Sequence, residues 1–287
     1  MNDTRSERRA VATARWSHGL WFTLFHVVPL YLQGLFTRHR FWVEVFSALH
    51  PDPLSVRFLS RLRKRYGAEQ IFIRVGRTTM LLVMDVKSIR RVLDSSPELY
   101  ADPPPKREGM SRFQPGAVTI SRGTAWENRR RFNEAVLNSS RPLHQHAVPF
   151  SRLIITEVAR IARGRRMLRW KDFEQMFERI SLGIIFGPAA RDDVYLTRTL
   201  NRLMRNGNRA ALRAPQDKLL EDFNNALRGH LRSPEEGSLV ALCCQVASDG
   251  LTQVDHQIPH WMFAMNETLS VNTTRAFALI VSHPRVY

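Results

Sequence analysis

Residues 263–284 read FAMNETLSVNTTRAFALIVSHP, and they place an acid and an alcohol, Glu267 and Thr268, in the middle of a long helical pattern. Apolar Trp261, Met262, Met265 and Leu269, followed by Ala276, Leu279 and Ile280, predict that this helix faces a core. A carboxylate beside a hydroxyl is costly in such surroundings unless both are used. The pair therefore points to proton delivery or to the holding of an oxygen ligand. His283 and Pro284 supply a stop signal for the helix.

A second motif stands upstream, in GTAWENRRRF at residues 123–132. Thr124 and Glu127 have the spacing of a capping box, which predicts a helix beginning at Thr124. Trp126 and Arg130 are then one turn apart and share a face.

Taken in this order, the two motifs resemble those of the cytochromes P-450, the haem-thiolate monooxygenases. The central helix of that family usually carries Ala-Gly-x-(Glu/Asp)-Thr-(Thr/Ser), and Ala264, Glu267 and Thr268 match it. Met265 stands in place of the usual Gly and Leu269 in place of the second hydroxyl residue. A small residue opens a groove where dioxygen sits, and Met265 would fill it. The resemblance implies that Thr268 hydrogen-bonds the oxygen ligand, that Glu267 feeds protons through water, and that Trp126 and Arg130 donate to a haem propionate. Indole N–H and guanidinium suit that last task, because a carboxylate on a buried macrocycle needs donors and Arg gives a charge-assisted fork. The implied cofactor is haem b, and the implied reaction is hydroxylation of a small organic substrate with O2 and electrons from a redox partner.

The remaining segments are read outward from these motifs. Residues 53–66 carry Val56, Leu59 and Leu62 at helical spacing, and IFIRVG and MLLVMD within residues 70–85 predict a β-hairpin. A helix is predicted from Val86 to near Ser95 and Pro97, then a loop over 101–123, where Pro103, Pro104 and Pro105 are too restricted to continue a helix. Core-facing helices are predicted over 147–162 and 170–186, more polar ones over 191–206 and 215–231, and a short apolar one over 237–247. The resemblance makes the polar pair a lid over a substrate pocket. The expected fold is mainly α with a small β-sheet, a cytochrome P-450-like helical fold cut short after the long central helix. Residues 1–50 are read as a basic, aromatic N-terminal segment and 51–287 as a partial domain of that kind, roughly the N-terminal two-thirds of a usual member.

Cys243 and Cys244 are adjacent in an apolar helical pattern and read as buried thiols; neither stands in the Phe-x-x-Gly-x-Arg-x-Cys context that supplies the family's iron ligand. No metal ligand is therefore assigned within the chain, which is expected to be an inactive fragment without stable thiolate ligation of haem. His144 and His146, and His256 and His260, read as surface or capping residues rather than a metal site. The sequence holds no Gly-x-Gly-x-x-Gly, phosphate loop or Gly-x-Ser-x-Gly elbow, so nucleotide-binding and hydrolase classes have no support.

With 43 Lys plus Arg against 26 Asp plus Glu, the formal net charge is +17. The basic residues are dispersed over nearly every helix and form no recognisable nucleic-acid motif. The resemblance assigns a basic face to a ferredoxin- or flavodoxin-type electron donor, whose encounter opposite charge would speed. The rival from another class is a non-enzymatic basic helical module that binds an anionic membrane surface or nucleic acid. Two cysteines provide no disulfide framework, so a cytoplasmic location is the default. Residues 16–36 are apolar and aromatic, follow several arginines, and are interrupted by His26 and Pro29. They suit a helix lying in a membrane interface, or one packed on the domain.

Overall fold

The computed structural model describes residues 11–49, 51–163, 167–248 and 250–283, with the side chains of Pro51, Asp52 and Glu267 left out. Packing divides the chain into two compact units, Met1–Ala101 and Asp102–Tyr287.

In the first unit, a two-residue strand β1 (Ala12–Thr13) pairs in parallel with β2 (Gln70–Val75), which pairs antiparallel with β3 (Thr78–Val83). The predicted hairpin is thus present, and it turns through Gly76 at φ 58°, a backbone conformation that suits glycine. Alternation along β2 puts Ile71 and Ile73 into a core with Ala14, Phe58 and Leu62. Phe58 and Leu62 lie on α4 (Pro51–Tyr66), one residue per turn on its apolar face. Three further helical stretches precede α4: α1 (Trp16–Phe22), α2 (Val28–Gln33) and α3 (Arg40–Ala48). The apolar N-terminal stretch is helical without a break from Trp16 to Gln33. A π-helical turn, Thr23–Val27, joins α1 to α2, and Pro29 follows directly after it.

Trp21 of α1 stacks on Phe58 at 4.0 Å, so the described part of the N-terminal stretch packs with the hairpin inside this unit. The approach is close enough that a Cβ on Gly19 would meet the Arg74 carbonyl oxygen at 2.2 Å. After β3, α5 (Val86–Asp94) is capped by Asp85, whose carboxylate accepts from the Ser88 N–H at 2.7 Å. That backbone bond, with the Ser88 hydroxyl, holds the Asp85 carboxyl below its ordinary value.

The second unit is helical. Its first helix, α6 (Pro104–Ser111), lies where the sequence predicts a loop. The three prolines do not continue a helix; they start one, because Pro at N1 brings a helical φ and lacks an N–H that would have no partner there. A 3₁₀ turn, Val118–Ile120, leads to α7 (Gly123–Val136), followed by α8 (Ala147–Ala162) and α9 (Trp170–Ile185). α9 is the centre of the unit: Met176, Phe177 and every residue of Ile180–Ile185 are buried, and it packs against α8, a 3₁₀ turn at Pro188–Asp192 and the later helices. The polar helices α10 (Val194–Gly207) and α11 (Asp217–Arg232) pack on each other, and the short apolar α12 (Leu239–Cys243) is only five residues long.

The central helix comes last, as α13 (Ile258–Phe263), a π-helical segment Ala264–Leu269, and α14 (Ser270–Ser282). The sequence predicts this helix but not its π segment. Its apolar surroundings also divide differently from the expectation. Trp261 and Met262 are buried, whereas Leu269, Leu279 and Ile280 are exposed, and Ala276 and Thr268 face outward as well. Periodicity marks which residues share a face; what covers that face depends on the neighbours.

Candidate functional site

The two motif-bearing helices are joined by a buried amide network that sequence reasoning does not pick out. Asn133, one turn beyond Arg130 on α7, accepts from the Trp261 indole N–H at 2.7 Å and donates to Gln257 Oε1 at 3.1 Å. Gln257 in turn donates to the carbonyls of Gly116 at 2.8 Å and Gln253 at 3.2 Å. Beside it, His260 Nδ1 meets Gln114 Oε1 at 3.2 Å. Burial, then the charge of Lys106, lowers the His260 imidazole below its ordinary value, so it is held neutral. These amides are buried and bonded to one another, which fixes a single register between α7 and α13.

The network sets the placement of the expected site residues. Trp261 is one turn before Ala264, so α7 is tied to the start of the π segment that carries Ala264, Glu267 and Thr268. A second tie comes from α9, where buried Ser181 donates to the Asn266 side chain, while Ser270 donates to the Asn266 carbonyl. A π turn inserts one residue relative to α-helical spacing and shifts which side chain faces which way; such turns occur frequently at functional sites. Thr268 is exposed, which corrects the expectation of a core hydroxyl.

On α7, Trp126 is half-buried and Arg130 is exposed, its guanidinium donating to Glu134 one turn on. The predicted capping box is absent. The helix begins at Gly123, its N-cap is Arg122 with no side-chain hydrogen bond, and Thr124 is exposed. Glycine at the first turn with φ 54° starts the helix one residue earlier than the cap motif would.

The iron ligand is the part that does not fit. Cys243 is buried, and its thiol is pushed up to about 12, first by burial and then by Cys244, so it stays protonated and is no thiolate donor. Cys244 departs from the expectation: it is exposed, with its Sγ 3.8 Å from the Leu231 carbonyl. Among the described residues no group of three or more His, Cys, Asp or Glu side chains could hold a metal ion. His144 and His256 are each lowered by burial: His144 meets the Val136 carbonyl at 3.1 Å, and His256, half-buried rather than a surface residue as expected, meets Asn224 of α11 at 3.5 Å.

A separate electrostatic cluster was also missed from sequence. Glu157 of α8, 1% exposed, accepts from Arg160 and Arg179 at 2.7 Å and from Arg191 at 3.4 Å, joining α8, α9 and the 3₁₀ turn. Burial alone would raise its carboxyl; the bonds and charges of Arg179 and Arg160 outweigh that and hold it below the ordinary value. Its place is structural, far from no charge partner and close to three. A lone acid in the second half of α8, with the next charge three residues on, gives no sequence signal of this.

No protein-family profile matches the sequence. Cytochrome P450 2D10 of Rattus norvegicus is 28% identical over 138 residues, which is 42% of this chain and 27% of the relative. Among solved structures, the retinoic acid-bound cyanobacterial CYP120A1 superposes with a TM-score of 0.60 at 13% identity, over 79% of this chain and 55% of that one. The chain thus spans about half of the structural relative and about a quarter of the sequence relative. Its fold, mainly helical with a small three-stranded sheet, is that of the cytochromes P450.

Proposed function

We propose that residues 51–287 form part of a cytochrome P450-like haem monooxygenase, carrying the propionate-side and oxygen-side groups of such a site without its thiolate. The observation that supports this reading most is the Asn133–Gln257–Trp261 network, which ties the helix of Trp126 and Arg130 to the helix of Ala264, Glu267 and Thr268 in a P450-like fold. Haem b, when bound in a complete protein of this kind, supplies the oxidation of a small organic substrate. In this chain the Trp126 indole N–H and the Arg130 guanidinium would hold a propionate, Arg130 exchanging one carboxylate, that of Glu134, for another. Beside such a group Ala264 would keep its turn small, Thr268 would offer a hydroxyl and Glu267 would be the proton-carrying carboxyl. No oxidation step is assigned to the chain alone, because buried, protonated Cys243 is no thiolate donor and Cys244 stands outside the ligand motif of that family.

The exposed Arg131 of α7, with the other basic residues dispersed over the helices, fits an acidic ferredoxin- or flavodoxin-type donor. Residues 16–36 expose Trp16, Leu20, Leu24 and Phe25, which supports peripheral contact with a membrane interface by a cytoplasmic protein. Among the described residues no helix is long and apolar enough to cross a membrane.

Haem titration of the purified chain tests the reading, followed by a carbon monoxide difference spectrum of the reduced sample. Haem binding that weakens in Trp126→Phe and Arg130→Ala, with no thiolate-type band, is expected. A thiolate-type band would overturn the reading of the cysteines, and haem affinity unchanged in both variants would overturn the propionate assignment.

A further inference from the structure

Four arginines gather at the end of α10 and in the turns that follow it. Arg202, Arg205, Arg209 and Arg213 line one small cleft of about 130 Å³ together with Asn206 and Gln216. All four arginines are exposed, and among the described residues none of them has a carboxylate within ion-pair distance. A cation at a helix C-terminus is favoured by the backbone dipole, which accounts for Arg205 in the last turn. It does not account for three more guanidinium groups gathered around the same hollow, where like charges repel.

The backbone that holds them is ordered by its own bonds. Past Gly207 the chain makes successive tight turns, with Arg209 N–H donating to the Asn206 carbonyl at 3.0 Å and Arg213 N–H to the Arg209 carbonyl at 2.9 Å. Asn206, 6% exposed, clamps the far end of the turn by donating to the Ala214 carbonyl at 3.0 Å. Arg112 of α6 reaches the Ala210 carbonyl at 3.4 Å and fixes the turn from outside. The arginine stems therefore leave a preformed scaffold, so less ordering is required when a ligand arrives.

Guanidinium groups bind the oxygens of a phosphate through charge-assisted forks. The cleft is smaller than the roughly 300–1,000 Å³ of ordinary small-molecule pockets, so it has room for a charged head only. A second, larger cleft of about 440 Å³ shares Gln216 with it and is lined by Ser111, Arg112, Pro215 and Leu220 together with the carboxylates Glu108 and Asp217. Its mixed lining suits the uncharged, hydroxyl-bearing body of the same ligand, and its two carboxylates disfavour a second anion there.

We infer that the arginine cleft at the C-terminal end of α10 binds the phosphate group of a small phosphomonoester, with the rest of the molecule lying in the adjoining cleft. This inference does not rest on the haem reading and stands or falls separately from it. Isothermal titration with glycerol 3-phosphate tests it, using the wild-type chain, the double variant Arg205→Gln/Arg209→Gln, and Arg198→Gln/Arg232→Gln as a control of equal net charge outside the cleft. Saturable one-to-one binding is expected, weakened at least about tenfold in the cleft variant, spared in the control and reduced by added salt. Circular dichroism and the melting temperature check that the variant is folded, with only a small shift expected because loss of the Arg205 dipole contact and relief of like-charge repulsion act in opposite directions. Equal weakening in the control, or binding that persists in the cleft variant, overturns the assignment. So does binding confined to phosphatidic acid vesicles or to duplex DNA and not competed by glycerol 3-phosphate, since either would make the arginines a polyanion surface.

Discussion

At the scale of single residues, Glu157 is the clearest example of a charge whose meaning lies in its surroundings. Glu157→Gln leaves Arg160, Arg179 and Arg191 around a neutral amide, and a loss of about 2 kcal/mol in denaturant unfolding is expected, less than for a fully buried pair because the arginines are partly exposed. The pH dependence has a definite sign. A carboxyl whose folded value lies below its ordinary 4.5 contributes stability above that pH, and the contribution is lost as pH falls through the folded value. The stability gap between the wild type and Glu157→Gln should therefore shrink between about pH 5 and pH 3. The two cysteines make a similar contrast from adjacent positions. A thiol reagent at neutral pH should titrate Cys244 in the native chain and Cys243 only after denaturation, because burial keeps the latter both covered and protonated.

At the scale of elements, the helices and the hairpin were legible because each carries its own period. The alternation of Ile71 and Ile73, and the turn-spaced Phe58 and Leu62, have the same explanation in sequence and in packing. The failures occur where one element's form depends on another. Prolines 103–105 read as a break and proved to be a start, and the Thr124 cap lost to a glycine one residue earlier. Gly19 carries no visible signal at all, yet Gly19→Ala would drive a Cβ into the Arg74 carbonyl; a melting temperature lowered by the equivalent of about 1–3 kcal/mol checks this. The amide network makes the parallel prediction for the second unit. Asn133→Leu leaves the Trp261 indole N–H and Gln257 Oε1 buried without partners, and should cost about 2–4 kcal/mol in denaturant unfolding. Under the proposed haem reading, the same variant should also weaken haem binding, because Asn133 ties α7 to α13.

For the whole molecule, the sequence by itself determined the class of fold and the order of its elements, since hydrophobic period, turn residues and charge are local properties written along the chain. It also marked Trp126, Arg130, Ala264, Glu267 and Thr268 as candidates through two spaced motifs. Only the tertiary structure decided how these are held: which amides cross from α7 to α13, that the central helix passes through a π turn at the acid-alcohol pair, and that Thr268 faces outward. It also decided that Cys243 and Cys244, identical neighbours in sequence, have opposite environments, and that four dispersed-looking arginines on and after α10 share one cleft. The physical reason is common to all of these. Burial, hydrogen-bond partners and electric fields arise between segments far apart in sequence, and no local pattern records which segments will meet.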